Sequence, residues 1–143
     1  MRAAELQAIL NAHPYLRVER PPLLWGLSTE AEAFVRCLGE MIAAGLARNG
    51  VRLAEVTLNV SNVTVEPHAA GPMPAGDFVA VTIRGQGDWT PEATWDPRPA
   101  GRPPLVNPDL SAAAAKAGAA YGYTRALTDG DGSVTVLFER AEE

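Results

Sequence analysis

"VAVTIRGQGDWTPEATW", residues 79–95, begins as a strand and ends as a loop. Val79, Val81 and Ile83 alternate with Ala80 and Thr82, the period-2 pattern of a half-buried strand. Arg84-Gly85-Gln86-Gly87-Asp88-Trp89 follows at once. A glycine turn delivered by a strand is where backbone comes close to a ligand. The reading of the whole chain turns on whether this loop is a binding site.

Upstream, Val56, Leu58 and Val60 alternate with Thr57, Asn59 and Ser61 and predict a strand over 55–65. Val63 and Val65 switch parity, which predicts a bulge or bend near Asn62. Residues 29–48 carry the strongest helical pattern. Ala31, Phe34, Val35, Leu38, Met41, Ile42, Gly45 and Leu46 fall on one stripe. Ser28 or Thr29 is the expected cap, with Glu30 and Glu32 in the first turn. Residues 3–12 read as a short amphipathic helix, and "RVERPPLLWG" (17–26) as an extended arm, because paired prolines do not continue a helix. Downstream, residues 85–108 are a long irregular stretch. A small-residue helix is expected over 109–121, with Asp109 as its cap and Gly122 as its stop. Residues 122–128 and 133–139 then form a hairpin around Asp129-Gly130-Asp131-Gly132.

Helices against a mostly antiparallel sheet predict an α+β two-layer sandwich, a mixed sheet with its helices on one face. The expected core is Phe34, Val35, Leu38, Met41, Ile42, Leu58, Val79, Val81, Ile83, Leu110, Ala114, Val134, Val136 and Phe138. The division expected is an N-terminal helix and arm (1–27) and a sandwich domain (28–143). Leu6, Ile9, Leu10, Leu23, Leu24 and Trp25 are many apolar groups for a tail. They either cover the domain's own sheet or meet a second copy of the chain, and a homodimer is the expectation.

The 143 residues suffice for one core. Hydrophobic residues make up 47% and charged residues 20%, which argues against disorder. A net charge of −5, with no lysine- or arginine-rich run, disfavours nucleic acid and anionic membrane as partners. No stretch reaches the roughly 20 apolar residues of a membrane span, and "MRAAELQAIL" is too polar for a secretory signal, so a cytoplasmic protein is expected. Cys37 is the single cysteine and is expected to be a buried thiol rather than a nucleophile. His13 and His68 stand far apart with no clustered ligands, so no metal site is expected. Asn59-Val-Ser61 and Asn62-Val-Thr64 match the glycosylation sequon but read as a strand's polar face.

The order of elements resembles the ATP-binding domain of histidine kinases and their relatives, the GHKL or Bergerat fold, over roughly residues 29–139. "VAVTIRGQGDWTPE" is similar to the family's strand and first glycine box. "AAAAKAGAAYGYTRALTDGDGSVTVLFE" is similar to its closing helix, strand, turn and last strand. Helix 29–48 stands where the family has its magnesium-binding helix, and 95–108 where it has the ATP lid.

Departures from the family pattern fall on the residues that would touch nucleotide. The adenine-binding aspartate position is Gly85, the next position is Gln86, Gly87 is retained, and the second glycine becomes Trp89. Of the family's Glu-x-x-x-Asn on the long helix, Glu40 matches, but Ala44 replaces the magnesium ligand and has no oxygen for a hard cation. "NPDL" (107–110) stands for the second glycine box and lacks its amide cradle. The resemblance therefore implies a scaffold without ATP chemistry or cofactor. Its partner would be a signalling protein: a response regulator, a kinase or a sigma-factor regulator. Asp88, Trp89, Glu92, Trp95 and Asp96 form the acidic and aromatic patch expected to meet it. Two alternatives stay open. One is a divergent but active ATP-binding domain of a histidine kinase or anti-sigma kinase. The other is a small α+β ligand-binding or structural subunit unrelated to GHKL.

Overall fold

The strand at the head of the quoted stretch lies inside a six-stranded sheet. The structure, a computed structural model, describes residues 1–12, 17–45, 56–67, 75–85, 93–95, 108–126 and 132–141. Its elements are α1 (Ala3–Asn11), β1 (Arg17–Glu19), α2 (Ala31–Gly45), β2 (Thr57–Val65), β3 (Gly76–Gly85), β4 (Ala93–Trp95), α3 (Pro108–Lys116), β5 (Tyr121–Ala126) and β6 (Gly132–Glu139). The sheet order is β1-β2-β3-β6-β5-β4. β1 and β2 are parallel, and the other four pairs are antiparallel. The sheet is mixed and open, and the fold is α+β as expected.

Strand parity sorts the core. Leu58, Val60, Val79, Val81, Ile83, Val134, Val136 and Phe138 share one face and one buried cluster. Leu6 and Leu10 of α1, Phe34, Cys37, Leu38 and Met41 of α2, and Leu110, Ala113 and Ala114 of α3 belong to the same cluster. All three helices therefore cover one face, with α2 and α3 packed on each other. The second face carries a smaller cluster of Val65, Phe78, Ala80, Ala120, Tyr121 and Leu137. Beside it, the Thr82 and Thr135 hydroxyls hydrogen-bond across β3 and β6 at 2.8 Å.

Several expectations are corrected. No bulge interrupts β2. Its register with β3 runs without offset from Thr57↔Arg84 to Val65↔Gly76. Val63 and Val65 change parity because they pack on the second face, while Asn62 occupies the helix-side position that Leu58 and Val60 lead to. Val35 is 47% exposed rather than core; it falls on the outer flank of the helical stripe. Ile42 only packs against the core's edge. The Thr29 hydroxyl donates to the Ala117 carbonyl at 3.0 Å, joining the start of α2 to the end of α3. α3 starts at Pro108, whose ring fixes φ near the helical value, so Asp109 lies inside its first turn. It ends at Gly118 rather than Gly122. Gly118 takes the left-handed conformation (φ 70°), its N–H donates to Ala115, and the Ala119 N–H donates to Ala114. Gly122 is a β5 residue opposite Val136. The three-residue strands β1 and β4 carry too little alternation to register in the sequence. The Asp129-Gly130-Asp131 part of the hairpin turn lies outside the described residues, as do His13 and His68.

The N-terminal segment is built into the core. Leu6, Leu10, Leu24 and Leu27 are buried in the main cluster, and Ile9 and Trp25 pack against it. Backbone bonds link Met1 and Leu27 in both directions. The Ser28 N–H donates to Glu139 and the Ala141 N–H to Gly26. Only Leu23 of the six apolar tail residues stands in solvent, at 79% exposure. The tail covers its own domain, so the apolar surplus that suggested a second copy is already buried.

Candidate functional site

Two ends of the sheet can be compared. At one, β3 ends at Gly85, which is buried and pairs with Gly132 of β6. Gly132 in turn pairs with Ala126 of β5. At the other end lie Gly76, Glu139 and the arm. α2 is anchored at this second end, through Ser28 on Glu139 and through Phe34, whose ring stands edge-on to Phe138 at 5.4 Å. Its later turns, with Glu40 and Ala44, lead away from that anchor. α3 ends near the same anchor, at the Thr29–Ala117 bond, so its first turn, with Asp109 and Leu110, lies away from it too.

Of the nucleotide-site positions read from the sequence, Glu40 is half-buried on α2 and Gly85 is the buried last residue of β3. Ala44 belongs to the last turn of α2. Gln86, Gly87 and Trp89 lie outside the described residues, as do Asp88, Glu92 and Asp96 of the expected partner patch. Trp95 is in β4, opposite Gly122.

One helix turn before Glu40 sits Cys37, fully buried. Burial pushes its thiol up to about 12, and the Glu40 carboxylate adds to the shift. Such a thiol is no nucleophile at neutral pH. It does make stability pH-dependent. The unfolded chain releases the proton from about pH 9, while the folded chain keeps it to about pH 12. The folded state thus binds more protons in that window, and stability falls as pH rises through it. At pH 10 the expected loss is about 1 kcal/mol. Urea midpoints at pH 8 and pH 10 should converge in the Cys37→Ala protein relative to the native chain. An equal pH slope in both would show that the thiol titrates normally.

At the second end, which sequence patterning did not single out as a site, the structure opens a cleft of about 620 Å³. The arm residues Leu23–Gly26 form one wall, and Ala75–Phe78 with Glu139–Ala141 form the other. Asn62 fixes the arm. Its Oδ1 accepts the Trp25 N–H at 3.0 Å, and its Nδ2 donates to the Leu23 carbonyl at 2.7 Å. Arg140 lies 4.2 Å from the centre of the Trp25 ring and 3.6 Å from Asp77. Asp77 also accepts a hydrogen bond from Thr64 at 2.8 Å. The signal for this site is the polar Asn62 in an aliphatic alternation, where the parity switch at Val63 and Val65 points to a bulge or bend instead.

Among the described residues, no helix is long and apolar enough to cross a membrane. The chain matches no protein-family model and no curated protein.

Proposed function

We propose that this chain is a non-catalytic GHKL-like domain, cytoplasmic, that works by binding another signalling protein. The observation that carries the reading is the pairing of the scaffold with side chains unfit for nucleotide. The open sheet, with the three described helices on one face, supports the resemblance. At the end where β3 gives way to the glycine loop, Gly85 has no carboxylate for an adenine amino group, and Ala44 has no oxygen for magnesium. A response regulator, a kinase or a sigma-factor regulator is the class of partner that follows.

Calorimetry with a non-hydrolysable ATP analogue and magnesium tests this. The expected result is no saturable heat at millimolar nucleotide. A lost buried hydrogen bond costs roughly 1–3 kcal/mol, and missing charge compensation for the phosphates costs more. Every 1.4 kcal/mol is about tenfold in affinity, so together these take a micromolar site past millimolar. A dissociation constant below about 100 μM would favour the second reading, a divergent but active ATP-binding domain. The half-buried Glu40 is the observation that speaks for it.

A further inference from the structure

Leu23 is the most exposed large apolar side chain among the described residues, yet its carbonyl accepts a hydrogen bond from the Asn62 amide. The Asn62 amide grips the chain on both sides of Leu24, and Leu24 itself is buried in the core. A leucine fixed in solvent at the mouth of a cleft keeps its apolar surface wet while giving up the freedom to turn it away. That arrangement suits contact with a partner.

Charge states the partner's chemistry. Two carboxylates, Asp77 and Glu139, and one guanidinium, Arg140, line the cleft. Arg140 is engaged by Asp77 and by the Trp25 ring, which leaves Glu139 as the excess charge. Exposed Glu66 follows Val65, the register partner of Gly76, and so lies at the same end. This acidic rim repels phosphate backbones and anionic lipid and attracts cations. A cleft of this volume accommodates the side chains of a few residues.

We propose that the cleft between the arm and the Gly76/Glu139 end of the sheet docks a short segment of a partner protein. That segment pairs an apolar side chain, seated on Leu23 and Trp25, with a lysine or arginine directed at Glu139. The proposal rests on the interaction reading above and names its surface, at the opposite end of the sheet from the glycine loop.

The test is an amide-shift titration of the isotope-labelled full chain with a blocked pentapeptide of alternating lysine and leucine. Saturating shifts are expected at Leu23–Gly26, Asp77, Phe78 and Glu139–Ala141 at millimolar peptide or below. Glu139→Lys and Leu23→Ser, both at exposed positions, should each weaken binding about tenfold. The same peptide with glutamate for lysine should not bind. No saturating shift, equal binding of the glutamate peptide, shifts centred elsewhere, or full affinity in both variants would each overturn the docking site. Nucleotide calorimetry reads the other end of the sheet, so ATP binding would sink the pseudo-enzyme reading without touching this result.

Discussion

A chain lacking residues 1–27 is expected to show no cooperative unfolding transition. Leu6, Leu10, Leu24 and Leu27 are each 5% exposed or less. Burying such a side chain is worth about 1.5–3 kcal/mol, so removing four costs roughly 6–12 kcal/mol. The whole stability of a domain is about 5–15 kcal/mol. The truncation also exposes the apolar surface of α2 against which α1 rests, and it frees Asn62 and the Ala141 N–H from their arm partners. Circular dichroism against temperature and urea makes the comparison. A transition whose stability lay within about 2 kcal/mol of the full chain would make residues 1–27 a separate appendage, as the division at residue 27 supposes. Leu10→Ala offers a graded version, with an expected loss of about 2–5 kcal/mol.

Phe138→Ala should cost about 3–5 kcal/mol, the largest effect of any single truncation in the sheet. Phe138 is fully buried on the helix side of β6, and Phe34 of α2 meets it edge-on at 5.4 Å and 70°. The pair ties the helix layer to the sheet where the arm also attaches. Beyond the cavity, the ring contact itself is worth about 0.5–1.5 kcal/mol. Phe34→Ala and Phe138→Ala together should therefore fall short of the sum of the single effects by about that amount. Val35→Ala, next to Phe34 but turned outward, should change the unfolding free energy from urea titration by no more than about 0.5 kcal/mol. If Phe138→Ala cost less than about 1 kcal/mol, the described packing of α2 on β6 would be wrong.

Long alternating runs were legible in the sequence, and contacts between distant segments were not. Val79, Val81 and Ile83 marked β3 because one face of it is packed and the pattern repeats often enough to be read. The helical stripe of α2 is readable for the same reason, though its pattern does not separate the exposed flank at Val35 from the core. β1 and β4 have three residues each and hold their places through sheet partners rather than through any pattern of their own. The stop of α3 at Gly118 competed with a second glycine at 122, and only backbone dihedrals distinguish a left-handed cap from a strand residue. Of the glycine-loop site, Glu40 and Ala44 could be placed on a helix from sequence, whereas Gly85, expected in the loop, is the last residue of β3. The cleft could not, because Trp25, Asn62, Asp77 and Arg140 meet only after the arm, β2, β3 and β6 have assembled.

Among the described strands β6 comes after the other five in the chain, yet it lies between β3 and β5 in the middle of the sheet. A ribosome-bound chain that has completed β5 holds β2 and β3 as a pair whose inner edge is bare. The Glu139 and Ala141 backbones, which fasten the arm, do not yet exist in it. Domain formation must then wait until β6 has emerged, and until that moment an open strand edge and the apolar underside of the helices are on offer to other molecules. The hazard lies in biogenesis, and chaperone supply or the pace of translation through β6 is expected to bear on yield.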